Sequence, residues 1–560
     1  MNVVEPGPKS RSEALQRLSE ESFDVLVVGG GITGAGVALD AARRDLSVAL
    51  IEKADFSAGT SSKSTKLVHG GLRYLEQREL GLVREALRER DLLRRMLPHL
   101  VTPIPLLWSP LQVGRAKAAG GLRLYDVLAS SGSFDRHRWA GGDEVGWLAP
   151  GLRGGSGAYL VHEGLTDDSR LVLSVLREAR RAGAVVCNHL GADAFLEARG
   201  RLAGCVGRDG IGGEAIEVRA ATIVNATGVW ADEVSGLETS GKSRLRPSKG
   251  IHLILSRRAL PLKSGVLMPA ADGRTVMAIP WRSSILVGTT DAPYEGRLDS
   301  PSVTAGEAAY ILDALSASFD REIGPSDLCG ATAGIRPLLL GAAGAATRDL
   351  SRRHAIWRGP RGLVTVTGGK LTTFRRMAEE TMELVAGAGA PSPMPAPGGD
   401  LQALRHSMAA RLKKLDLSPE IGDSLLRSYG SDALAVLDLG REMELVRPIA
   451  PGLPYLMAEL VWGVREEMAM TVADLLARRT RLSLEDLAGG VRDEQELPAL
   501  LGAELGVSSR EIARQVSEYR LAVTRERGPA VPAPATVTPR PEGARSRAGL
   551  ALRLRRRLSH

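Results

Sequence analysis

Residues 23–53 read FDVLVVGGGITGAGVALDAARRDLSVALIEK, and no other stretch limits the fold as tightly. An apolar strand runs into Gly29-x-Gly31-x-x-Gly34. A helix of small residues follows, and a second apolar strand ends at Glu52. Each glycine has a physical task. Gly29 permits a tight turn, Gly31 lets the backbone approach a pyrophosphate, and Gly34 lets helix and strand pack closely. The helix N-terminus offers unpaired N–H groups and a positive dipole end to phosphate. Glu52, 23 residues after Gly29, stands where a carboxylate accepts a ribose hydroxyl. Three glycines alone are a weak signal. Strand, glycines, helix, strand and acid within one short unit specify a dinucleotide-binding parallel sheet.

At 560 residues the chain exceeds a single core and calls for two or three domains. Cys187, Cys205 and Cys329 are scattered, with no CxxC pair. Neither a disulfide framework nor a cysteine metal site is expected, no metal is called for, and a reducing cytoplasm fits. The first residues lack an apolar signal core, and no run of about 18 apolar residues predicts a membrane-spanning helix. Of the net charge of +8, the last 32 residues carry +6, with seven arginines against Glu542. The basic character therefore belongs to a tail, and no nucleic-acid-binding face is expected on the body.

Along the chain, residues 1–20 read as a polar helical leader and 21–395 as a nucleotide-binding domain interleaved with a β-rich substrate domain. Residues 400–527 read as an all-helical C-terminal domain, and 528–560 as a disordered basic tail. The interleaving follows from the dinucleotide signals, which recur at 223–228 and 366–372 with strand-rich sequence between them. The fold class is thus α/β and α+β with an appended helical domain.

Two segments point to a flavin as the dinucleotide. TIVNATGVWAD places Asn225, Ala226, Thr227 and Gly228 at the end of an apolar strand, where backbone can meet bound FAD. VTGGKLTTF places Gly369 before a helix opening at Leu371 and Thr372, and such a terminus can stabilise negative charge on a reduced flavin. Thr60, Ser61 and Ser62 can donate to FAD oxygens or cap the next helix.

The ordered motifs GTSSKSTKLVHGGLRYLE, VNATGVWAD, SKGIHLIL, GTTDAPYEG, AGIRPLL, TRD and TGGKLTTF, with YGSDA and AELVWGVREEMAMTVADLLARRTRL further on, resemble FAD-dependent glycerol-3-phosphate dehydrogenase of the aerobic, quinone-linked kind. The resemblance spans roughly residues 22–525. Phe374 departs from the tyrosine expected there, and residues 140–165 and the sequence after TRD are loosely matched. The resemblance implies non-covalent FAD and oxidation of sn-glycerol 3-phosphate to dihydroxyacetone phosphate. It also implies hydride transfer to flavin N5 and a membrane quinone as the electron acceptor.

It further implies that Arg73, Tyr74, Arg336 and Lys370 line the substrate pocket, with Arg348 as a further cation. Arginine suits a phosphate because its planar fork binds it bidentately. The proton acceptor is open among His252, His69 and Lys370, and His69 and Gly70 can instead pack beside the flavin. A quinone acceptor requires contact with a bilayer, on the cytoplasmic face of the inner membrane. Residues 106–131 are expected to supply that contact as an interfacial segment, with Leu106, Leu107, Trp108, Leu122, Leu124, Tyr125 and Leu128 beside Arg115, Lys117 and Arg123. A homodimer stays open. The rival functions are an oxygen-using glycerol-3-phosphate oxidase and an amine or amino-acid oxidase of the same flavoprotein fold.

Overall fold

The structure is a computed structural model. It describes residues 8–72, 79–109, 114–129, 136–154, 156–239, 241, 243–340, 353–389, 400–491 and 496–532. The Ser22–Val28 strand pairs in parallel with Val48–Ile51 on one side and Ala215–Asn225 on the other, so Val27 faces both Leu50 and Val224. Val185–Cys187 and Val364–Gly368 extend this ladder outward, and His354–Arg358 adds an antiparallel edge. Residues 25–28 are buried without alternation, as a parallel strand covered on both faces requires. One cover is the Ile32–Ala42 helix, whose run of Gly and Ala lets it sit close to the sheet between the Asp168–Arg181 and Phe374–Ala386 helices.

The segments between those strands build a second sheet. It runs from Ala292–Pro293 through Leu245–Ser256, Ser284–Gly288, Thr275–Trp281, Gly265–Pro269, Thr102–Trp108 and Gly157–Leu165 to Leu67–Val68. Leu328–Leu339 pairs along most of Leu245–Ser256. In that central strand Ile251, Leu253 and Leu255 join the core beneath the Ala305–Ser318 helix. By the twofold period of a strand, Gly250, His252 and Ile254 point to the opposite face. Between residues 400 and 532 the regular elements of the described residues are helical, and Leu401–Lys414, Pro419–Tyr429, Ala433–Glu442, Met457–Arg465, Glu496–Leu505 and Ser509–Arg527 gather around their own core.

Three segments depart from expectation. The Pro8–Glu20 helix is no free leader. Ala14 and Leu18 enter the nucleotide-domain core, and buried Arg11 pairs with Asp209 at 2.6 Å. The tail begins later than 528, because Ala530 and Val531 pack into the substrate-domain core; residues 533–560 lie outside the described residues. Residues 106–131 are not one interfacial segment. Leu106 and Leu107 are buried in a strand flanked on both sides, and Leu122 and Tyr125 face inward from the Arg115–Leu128 helix. Only Leu124 and Val127 of that helix are large apolar residues turned outward, 40% and 79% exposed.

Candidate active site

A cavity of about 850 Å³ runs along the end of the parallel sheet. That volume belongs to the upper range of small-molecule sites. Gly29, Gly31, Glu52, Thr60, Ser61, Ala226, Thr227, Gly228, Gly369, Lys370 and Leu371 all line it, bringing the separate dinucleotide signals to one place. Gly34 does not line it but makes the turn possible. A Cβ there would lie 1.9 Å from the Gly29 carbonyl oxygen, so any side chain would push the helix off the glycine loop. Ser61 Oγ accepts the Ile32 N–H at 2.9 Å and fixes the start of the helix whose N-cap is Gly31.

Glu52 spans the adjoining turn. Its two oxygens accept the N–H groups of Gly30 at 2.7 Å and Ala54 at 2.9 Å. Burial pushes its carboxyl above the ordinary value, against those two bonds. Each oxygen keeps a second lone pair for a ribose hydroxyl. Trp230, on the same wall, buries an indole N–H that has no partner among the described residues, a donor that a bound dinucleotide can satisfy. The glycine cradle, the acid and this unmet donor together fit FAD.

Other predicted cofactor residues shape the cavity from behind. Asn225 is fully buried; its amide holds the Ala231 carbonyl at 2.9 Å and its oxygen accepts the Thr227 hydroxyl at 2.6 Å, which fixes the Ala-Thr-Gly turn. Thr60 turns its hydroxyl to the Ile335 carbonyl at 2.6 Å. Ser62 is buried and turns back to Gly59, so it acts within its own turn and does not line the cavity. The buried Thr372 hydroxyl bonds both main-chain groups of His69, at 3.1 and 3.3 Å, docking that strand beside Lys370. Gly70 lies under the Tyr125 hydroxyl and likewise stands off the cavity wall.

The second sheet carries two of the predicted substrate-site residues, Arg336 and His252, and neither lines the cavity. Arg336, on Leu328–Leu339, lies opposite Ser248 and lays its guanidinium across Gly250; a Cβ at Gly250 would lie 2.2 Å from Nη2. Nη2 donates to Thr289 Oγ1 at 3.0 Å and to the Thr290 carbonyl at 3.1 Å, and Nη1 stands 3.5 Å from Asp291. The fork is anchored, and 19% of the side chain remains exposed. His252 follows two residues after Gly250 on the same face. Its Nε2 meets the Thr65 hydroxyl at 3.0 Å, and its Nδ1 has no partner among the described residues. Burial, with the charges of Lys66 and Arg336 nearby, holds the imidazole down at about 3, so it is neutral at pH 7. Arg73, Tyr74 and Arg348 lie outside the described residues.

The site also contains residues that no local signal marks as its own. Lys63 and Trp230 sit inside motifs already noted, yet nothing in their spacing singles them out. Asp474, Arg478 and Glu526 come from the helical domain, hundreds of residues away from the glycine loop, and reach the same cavity.

A parallel sheet carrying a glycine cradle with Glu52, closed by a second sheet that presents an anchored arginine and a neutral buried histidine, defines a flavin-dependent oxidoreductase. Residues 24–384 match the FAD dependent oxidoreductase family, and residues 392–512 match the C-terminal domain of alpha-glycerophosphate oxidase. Glycerol-3-phosphate dehydrogenase 2 of Mycobacterium tuberculosis is 38% identical over 537 residues, covering 93% of this chain and 91% of that protein. Aerobic glycerol-3-phosphate dehydrogenase of Bacillus subtilis is 36% identical, covering 84% and 89%. The solved glycerol-3-phosphate dehydrogenase from Bacillus halodurans, complexed with FAD, is 28% identical with a TM-score of 0.76, covering 93% of this chain and 98% of that one. The chain belongs to the FAD-dependent glycerol-3-phosphate dehydrogenases.

Proposed function

We propose that this chain oxidises sn-glycerol 3-phosphate to dihydroxyacetone phosphate and delivers the electrons to a membrane quinone. The observation that carries the reading is Arg336, whose guanidinium is anchored across Gly250, on the strand face that also carries the neutral His252. Bound FAD supplies a hydride acceptor for the substrate C2. Arg336 binds the phosphate dianion bidentately and sets the register of the carbon chain. His252 takes the hydroxyl proton at Nδ1. The bound dianion offsets the field of Arg336 and raises the basicity of the imidazole when substrate is present. Lys370, on the cavity wall, steadies the developing alkoxide. Arg73, Tyr74 and Arg348 complete the phosphate pocket by resemblance, and His69 positions the strand beside the flavin.

The quinone is lipid-soluble, so the chain docks peripherally on the cytoplasmic face of the membrane. No helix among the described residues is long and apolar enough to cross one. Leu124 and Val127, beside Arg123, form the insertion point, and the arginines of residues 529–560 bind anionic headgroups. The test is turnover of glycerol 3-phosphate by the purified chain with a short-chain quinone against oxygen. Fast reduction of the quinone with slow oxygen uptake is expected. Equal rates with oxygen make the protein an oxidase, and turnover of amino acids but not glycerol 3-phosphate overturns the substrate.

A further inference from the structure

The helical domain touches the cofactor cavity at two places. Near Glu52, Arg478 Nε binds Asp55 at 2.5 Å and Asp474 binds His189 Nε2 at 2.9 Å. Asp55, His189 and Asp474 lie close enough together to suggest a metal, but Arg478 and Arg479 already occupy the Asp55 carboxylate, and their charge repels a cation. These are domain contacts that also form cavity wall. The second place is Glu526, near the end of the Ser509–Arg527 helix. Its carboxylate pairs with the Lys63 ammonium, accepts the Thr332 hydroxyl at 2.6 Å and accepts the Ala333 N–H at 3.2 Å.

Lys63, Ala333 and Glu526 all line the cavity. Lys63 belongs to the loop that carries Thr60 and Ser61, and Thr60 is itself tied to Ile335. Burial alone would raise the Glu526 carboxyl, but Lys63 and the hydrogen bonds from Thr332 and Ala333 outweigh it and hold the group below its ordinary value. Glu526 therefore stays charged and braces the loop against the sheet strand. Without it, the Thr60–Ile335 hydrogen bond and the packing of Lys63 against Gly334 are left to join these two walls at this end.

We propose that the helical domain is a working wall of the FAD site, with Glu526 as the positioning residue that holds Lys63 and the Leu328–Leu339 strand at the spacing the cofactor needs. The inference rests on FAD occupying this cavity. The full-length apoprotein, stripped of flavin, is titrated with FAD and followed by flavin fluorescence. E526Q and K63M should each weaken FAD about 10-fold or more, the scale of one lost charge-assisted contact. The double variant should bind no worse than the weaker single, because both changes break one pair. E526D keeps the charge with a shorter reach and should fall between parent and E526Q. It also carries the test together with K63M if E526Q does not fold. The melting temperature of each apoprotein is measured alongside, and an unchanged value beside a weakened Kd supports a role at the cofactor. Kd values within twofold of the parent for the singles and E526D overturn the inference, as do multiplicative losses in the double variant. A parent apoprotein that takes up no FAD overturns the cofactor assignment instead.

Discussion

Arg336 offers the sharpest test of the substrate site. Its guanidinium is held on one side by Thr289, Thr290 and Asp291, with 19% of the side chain left open. These anchors give the fork its direction, and in the proposed reading the guanidinium binds the substrate phosphate. A partly desolvated arginine–phosphate pair contributes about 2–4 kcal/mol, so Arg336→Ala should lower kcat/KM for glycerol 3-phosphate about 30- to 1000-fold. Arg336→Lys keeps one charge but cannot hold Thr289 and grip two phosphate oxygens at once, so it should recover only part of the loss. Arg336 is not on the wall of the cofactor cavity, so FAD content should be unchanged in both variants. The assay is steady-state reduction of an artificial quinone, with glycerol as a second substrate. Glycerol lacks the phosphate and should respond hardly at all to the substitution. An unchanged KM for glycerol 3-phosphate, or an equal loss with glycerol, refutes the assignment.

Gly34→Ala places a Cβ 1.9 Å from the Gly29 oxygen, so the variant should purify colourless; stoichiometric FAD in its absorbance spectrum refutes the cradle. The buried imidazole of His252 predicts acid sensitivity. Unfolded histidine protonates near 6.5, but the folded group resists until about 3. Its contribution is therefore complete above pH 6.5 and is lost as pH falls toward 3, on the order of 5 kcal/mol in all. H252Q should flatten the acid limb of the stability–pH curve in urea titrations, and superimposable curves refute it. Sedimentation with anionic vesicles tests docking. L124E with V127E should abolish the salt-resistant part of binding, and truncation after residue 532 should remove the salt-sensitive part. Binding unchanged in both moves the docking surface elsewhere.

What the sequence revealed and what it hid divide along a physical line. The glycine cradle, Glu52 and the Ala-Thr-Gly turn are legible because turn geometry and phosphate approach are set by neighbouring residues. The interleaved domains are legible because each return to the nucleotide sheet carries such a local mark. Residues 106–131 misled because the same apolar and basic mixture serves two structures. Leu106 and Leu107 are adjacent and both buried, each in a different core on either face of one strand. A strand covered on both faces has no period to distinguish it from a membrane-seeking run.

The arginines of the helical domain are the deeper case. In sequence, Arg478, Arg479 and Arg481 look like an ordinary charged helix end. In the structure Arg479 and Arg481 are almost wholly buried, and all three meet acids of the nucleotide domain: Asp55 for the first two, Asp167 and Asp168 for the third. From the other side, Arg170 pairs with Glu467 at 2.6 Å. Charge pairing has no sequence period, so composition cannot separate these residues from solvated ones. The pairing has a consequence for domain structure. Removing one partner of a buried ion pair costs about 3–5 kcal/mol, because the other is left charged and dry. Asp55 and Asp168 are both essentially unexposed, so stripping away the helical domain would take both arginines from Asp55 and leave Asp168 with Lys66 as its remaining charged partner. That domain is therefore held as part of the oxidoreductase body, and this places Asp474, Arg478 and Glu526 on the wall of the cofactor cavity.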